Sequence, residues 1–430
     1  MPALALCILS ASLGISIAAV ALPALAAAFA VPTGAASWVV LAYLLATTIA
    51  SVIVGRLADM LGRRPVLLGG IALYACASLA CALAPSFALL LVARAAQGVG
   101  AAALMALPLA LVRDLVPAER TGRAMGLLGT LSATGTALGP SLGGLILAGY
   151  GWRALFAVLV PLGFGAFALA LRLPRDTTRA RGGLDLTGAT WLGLTLAAYA
   201  LAATQGAPLL LVLALAGGIA FVWTEAQAQT PLLPLDLLRD PLLASRLSMS
   251  VLVAAVMMAT LVVGPFYLAG GLGLDPATLG LVMATGPATA ALSGLPAGRI
   301  TDRLGPDATL RLGLLQIVLG AAALATLPPL LGTPGYIAAL VLLTPGFQLF
   351  LAANNTAVMA GVAPDFKGLV SGLLNLSRNL GFITGAAVLG ALFAATSAEM
   401  TTGLRTTFGA AAVLALLALA LSRKSRRAAA

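Results

Sequence analysis

This sequence predicts an all-α protein that crosses a membrane fourteen times, as two pseudo-symmetric six-helix bundles with two further helices between them. Three observations carry that prediction. Apolar runs long enough to span a bilayer follow one another along the chain, and the charges fall in the short gaps between them with a strong sidedness. The two halves also repeat the same residues at a near-constant offset.

The 430 residues are 61% hydrophobic and 9% charged, with mean hydropathy +1.08. A soluble domain carries about 25% charge, so a water-soluble core does not account for this chain. The net charge of +11 sits in short loops rather than in one basic face, which argues for lipid and against a nucleic-acid partner. Cys7, Cys76 and Cys81 all fall in apolar runs and read as small fillers, not as a metal or disulfide set. There is no His and no Walker-type glycine loop, so the sequence predicts neither an enzyme nor an ATP-driven pump; it needs no cofactor beyond an ion gradient. The apolar N-terminus ends in ALAAAFA but has no positive n-region, and so reads as an uncleaved first helix.

Residues 1–55 are neutral, and the string GRLADMLGRRP, Gly55 to Pro65, supplies a tight charged turn before the next charge at Arg94. Breaks at charges, prolines and glycine turns place spans at 3–25, 36–55, 66–84, 87–112, 124–148, 153–172, 186–204, 207–225, 247–269, 277–298, 310–328, 335–357, 368–394 and 405–422. With the N-terminus inside, twenty of 24 Lys and Arg residues lie in cytoplasmic loops or tail and only Arg153 and Arg405 fall outside, which puts both termini in the cytoplasm of a bacterial-type inner membrane. The resulting layout is a first bundle at 1–172, a linker at 173–185, two additional helices at 186–225, a second linker at 226–246, a second bundle at 247–422 and a basic tail at 423–430. Gly55, Asp59 and Gly62 recur 243 residues later as Gly298, Asp302 and Gly305; Gly135 and Gly139 recur after 246 as Gly381 and Gly385.

Several residues stand out on physical grounds. Gly55 and Gly62 permit a tight turn that Arg63 and Arg64 hold at the cytoplasmic surface. Arg94 lies about two turns inside its span, where a guanidinium is costly and marks either a functional site or a group bonded to backbone carbonyls of the first span. Arg378, followed by Asn379, lies deeper in span 13 and either attracts an anionic or carbonyl-bearing substrate or is structurally paired. Gly135, Gly139, Gly143 and Gly144, with Pro140 among them, allow close helix approach and a local bend. Candidate cavity residues are Trp38, Tyr43, Phe266, Tyr267, Phe347, Gln348, Asn354 and Asn355, each of which also suits plain packing, with Trp38 placed for an interfacial belt.

In order along the chain, GRLADMLGRR, RAAQGVGAA from Arg94, GTALGPSLGG from Gly135 to Gly144, and the degenerate GRITDRLG after span 10 resemble the major facilitator superfamily over essentially the whole length. The chain looks most like its fourteen-span drug:proton antiporter branch. That resemblance implies a major facilitator fold and alternating access. It implies that Asp59 braces an inner gate near Lys367 and Gly368, with Arg113 as charge partner, that Arg94 and Gln97 belong to the coupling machinery, and that the span-5 glycines mark an antiporter. The branch commonly carries an acid in span 1 before an ALP signature; here Ala21, Leu22 and Pro23 are kept but the aligned acid position is Gly14.

None of the thirteen acids lies near a helix centre. Proton coupling needs a titrating group, so it is expected to run through Asp59, linked to Arg94, and the substrate to be neutral, amphipathic or anionic. The expected function is proton-coupled efflux of small amphipathic organic compounds by a monomer. A specific metabolite exporter or importer is the alternative, and a non-transporting sensor or scaffold a remote one.

Overall fold

In hydrocarbon every backbone N–H and C=O needs an internal partner, and the apolar runs accordingly form helices. The computed structural model describes residues 1–115, 117–174, 186–227, 240–360 and 367–429. Among the described residues fourteen long helical runs are numbered in chain order. The first six are α1 (Pro2–Val20), α2 (Trp38–Leu61), α3 (Arg63–Ala82), α4 (Phe87–Leu115), α5 (Ala118–Tyr150) and α6 (Trp152–Ala170, interrupted at Val158). Next come α7 (Leu186–Gln205) and α8 (Pro208–Gln227). The last six are α9 (Pro241–Phe266), α10 (Pro276–Leu304), α11 (Pro306–Leu331), α12 (Thr333–Ala360), α13 (Lys367–Thr384) and α14 (Met400–Ala429). π-Helical turns extend α9 at Tyr267–Gly271 and α13 at Gly385–Leu389, the second leading into Gly390–Thr396.

Among the described residues twelve helices are long and apolar enough to cross a membrane. The remaining predicted spans, 124–148 and 186–204, are helical as α5 and α7.

The chain divides into two compact units. One comprises Met1–Ala202, Ala207–Leu232 and Asp275–Leu281; the other comprises Ala203–Gly206, Leu233–Leu274 and Val282–Ala430. The first unit includes α7 and α8. Within it α1 packs on α5 and α6, and α3 packs on α4; within the second unit α9 packs on α13 and α14, and α11 on α12. The same internal pairing thus appears twice.

The repeated glycines explain how. Gly62 and Gly305 both adopt positive φ, 100° and 77°, and break the chain between α2 and α3 and between α10 and α11. Gly135 and Gly139 seat α5 on α1: a Cβ on Gly135 would meet Leu9 O at 2.8 Å, and one on Gly139 would meet Ser16 Cβ at 2.5 Å and Ile17 N at 2.9 Å. Gly381 and Gly385 seat α13 on α9, where added Cβ atoms would meet Ala254 Cβ at 2.6 Å and Ala255 Cα at 2.9 Å. The close approach leaves room for Ser12 and Ser132 to bond across α1 and α5 at 2.9 Å.

Gly139→Val and Gly385→Val are each expected to lower stability by about 1–3 kcal/mol through overpacking against backbone. Gly55, with no atom within 4 Å of an added Cβ, is expected to accept Ala without loss. Thermal unfolding in detergent checks this, and equal losses at Gly55 and Gly139 would contradict it.

Candidate functional site

Inside the first unit, four helices converge on Arg94. Its side chain is fully buried on α4. Nε donates to Val39 O on α2 at 2.8 Å, and Nη1 donates to Gly14 O on α1 at 3.1 Å and to Gln97 Oε1 one turn along at 2.5 Å. The guanidinium carbon lies 4.4 Å from the Tyr43 ring centroid and 5.8 Å from that of Phe156. Among the described residues no carboxylate pairs with it, and Nη2 has no hydrogen-bond partner. Burying an ion costs several kcal/mol. Three charge-assisted hydrogen bonds at about 1.5–3 kcal/mol each, with two aromatic faces, are enough to offset that.

The surrounding groups hold the cation in place. Gln97 Nε2 donates to Ser78 Oγ on α3 at 2.7 Å, and Ser78 Oγ in turn donates to Tyr74 O at 2.7 Å. The Tyr74 hydroxyl donates to Ser10 O at 2.6 Å and the Tyr43 hydroxyl to Ala11 O at 3.1 Å, so both rings are tied back to α1. Tyr43 is therefore a fully buried wall of the Arg94 site, not the lining of an open cavity. The Tyr74 ring also occupies the volume beside Gly14: its Cζ lies 3.4 Å from where a Cβ at that position would stand, with its hydroxyl closer still. Position 14 therefore has no room for a carboxylate while Tyr74 is in place. Sequence reasoning singled out Arg94 and Gln97 but missed Tyr74, Ser78 and Phe156, which carry no charge to draw attention.

The hairpin between α2 and α3 is anchored by its arginines. Arg64 Nη2 donates to Leu171 O at 2.6 Å, and Arg63 Nη1 reaches Ala110 O at 3.5 Å. Gly55 and Asp59 lie on α2 and Arg113 on α4; the side chains of Asp59 and Arg113, like those of Lys367 and Gly368, are outside the described residues. Along α5, Gly143 faces Ile17 of α1, and Pro140 lies inside the helix. Gly144 instead faces the start of α10, in the stretch Asp275–Leu281 of the same unit, where an added Cβ would meet Gly280 Cα at 2.7 Å.

In the second unit the predicted residues separate. Phe266 and Tyr267 are buried at the end of α9, Phe266 with its ring 6.4 Å from that of Phe393. On α12, Phe347 and Gln348 are half-buried and Asn355 is exposed, whereas Asn354 is buried and donates through Nδ2 to Ser250 Oγ at 3.0 Å. Trp38, at the start of α2 in the first unit, is likewise half-buried. Arg378 and Asn379 are half-buried on α13, and Arg378 Nη2 donates to Asn375 Oδ1 at 2.7 Å. An ion pair between Arg246 on α9 and Asp307 at the start of α11, 2.5 Å long, ties the end of one helix to another. Sequence reasoning left Arg246 in a linker, because only the fold brings it to Asp307.

Residues 4–386 and 249–429 match the family model described as the Major Facilitator Superfamily. The chain is 33% identical to the uncharacterized transporter YebQ of Escherichia coli K12 over 95% of this chain and 91% of that protein. It is 32% identical to the multidrug resistance protein Stp of Mycobacterium tuberculosis over 87% of this chain and 72% of that one. The crystal structure of the nucleoside transporter NupG superposes with TM-score 0.74 at 14% identity, covering 98% of each chain, which speaks to the fold. The paired units, the doubled glycine seats and these matches make this chain a membrane transporter of the major facilitator superfamily.

Proposed function

We propose that the chain is a fourteen-span, proton-coupled exporter of small neutral amphipathic or anionic organic compounds, working by alternating access as a monomer in the inner membrane. The observation that carries the substrate class is the charge inventory of the spans. Away from the helix ends the charged side chains are Arg94 and Arg378, both cations, with no acid among them. A dicationic compound would meet repulsion there without a counter-charge. Export is supported by similarity to Stp, whose name records multidrug resistance, and by the Gly135–Gly144 pattern on α5. Crossing by α5 and α7 keeps both termini on the cytoplasmic side and preserves the twenty-to-two bias of basic residues.

Proton coupling falls to the Asp59 hairpin, which joins α2 to α3 at the inner surface, with Arg94 as the buried cation that responds to it. A pump needs the two conformations to bind proton and substrate unequally.

Reconstitution into proteoliposomes with and without an imposed pH gradient, across neutral, anionic and cationic compounds, tests the whole reading. Gradient-dependent flux of neutral and anionic compounds is expected; gradient-independent flux removes the coupling, and no flux of any compound removes transport. Asp59→Asn is expected to cut gradient-driven flux at least about tenfold while leaving substrate exchange, a loss equivalent to about 1.4 kcal/mol. Arg94→Met is expected to leave thermal stability within about 1–2 kcal/mol, because an apolar side chain of similar length removes the desolvation cost along with the bonds. Its flux is expected to fall about tenfold, so a variant that unfolds and transports in proportion would contradict a role beyond packing.

A further inference from the structure

One face of α13 is spoken for. Val370, Leu373 and Leu374 join Leu243 and Leu247 of α9 and Val358 of α12 in a buried apolar cluster, and Gly381 continues that contact with α9 two turns on. The adjoining face carries Asn375, Arg378, Asn379 and Phe382, spaced i, i+3, i+4 and i+7, so the four side chains share one side of the helix. Asn375 is exposed, and the other three are half-buried.

Arg378 lies within the candidate membrane-spanning segment Gly372–Thr396, eleven residues along α13 from Lys367, about 16 Å along the helix axis. A guanidinium at that depth persists when it is paired or when it borders water or a polar ligand. Among the described residues no carboxylate pairs with it, and its hydrogen bond goes to Asn375 one turn back on its own helix. That bond fixes the direction of the planar fork and leaves further donors for something else. Partial exposure means that this something else can reach it. Two amides flank the cation, and an aromatic ring follows it on the next turn.

We propose that this face of α13 recognises a carboxylate, and that the preferred transported compounds join a planar carboxylate to an aromatic or apolar body. The carboxylate takes the bidentate fork of Arg378, Asn375 and Asn379 donate to its outer edge, and Phe382 lies against the apolar body. The inference rests on the transporter reading and narrows its substrate class from neutral or anionic to carboxylate-bearing.

The test compares two probes of nearly equal shape, 1-naphthoate and 1-naphthamide, in proteoliposomes and by thermal shift of the detergent-solubilised protein. The wild type is expected to bind and transport the acid about tenfold to a hundredfold better than the amide, as for loss of a charge-assisted hydrogen-bonded pair. Arg378→Gln is expected to bring the two probes to parity without losing the amide, Arg378→Lys to keep an intermediate preference, and Asn375→Ala to weaken acid binding less than Arg378→Gln does. If Arg378→Gln fails to fold, the Lys and Asn375 variants still read the preference. Equal handling of both probes by the wild type, or a preference that survives every Arg378 variant, overturns the carboxylate assignment while flux of other compounds keeps the transporter reading. Absence of flux for every compound overturns both.

Discussion

A guanidinium buried in a membrane protein must be held by something, and in the first unit that requirement organises the packing. Arg94 draws its partners from α1, α2 and its own helix, and the groups that touch it are tied onward to α3. Tyr43 and Tyr74 bridge back to the backbone of α1, which brings that helix against α2 and α3 at the same level. Because the balancing groups are carbonyls and rings rather than a carboxylate, the charge is stabilised without being neutralised. The field of Arg94 is therefore available to other groups that approach it.

The second constraint is steric. In lipid no hydrophobic drive pulls helices together, so close backbone contact has to come from small side chains and the hydrogen bonds they permit. Both units solve this in the same place, with a glycine pair on the fifth helix of the bundle lying on its first. In α5 the partner surface includes Ser12 and Ser16, whose hydroxyls bond locally and across the contact. In α13 the partner is alanine and bare backbone. One architecture thus tolerates a polar seam in one unit and a dry one in the other.

Much of this was legible in the sequence because the relevant signals are one-dimensional. Apolar run length locates the spans, the 243- and 246-residue offsets give the repeat, and an isolated Arg in an uncharged run marks Arg94. What could not be read depends on which face each helix presents. Tyr43 was a cavity candidate until the fold laid its ring over Arg94, and Tyr74 had no signal at all. Arg246 and Asp307 are 61 residues apart in sequence and become partners only when the fold brings their side chains together.

The π-helical turn at Gly385–Leu389 has an effect on the helix that carries Arg378. Such a turn accommodates one extra residue, so everything beyond it is rotated by about 100° relative to an uninterrupted α-helix. The stripe of amides and guanidinium before the turn is thereby phased independently of the segment after it, where Phe393 meets Phe266. A single additional residue is enough to let one helix obey two different sets of neighbours, so recognition chemistry at one end can change without disturbing the register at the other.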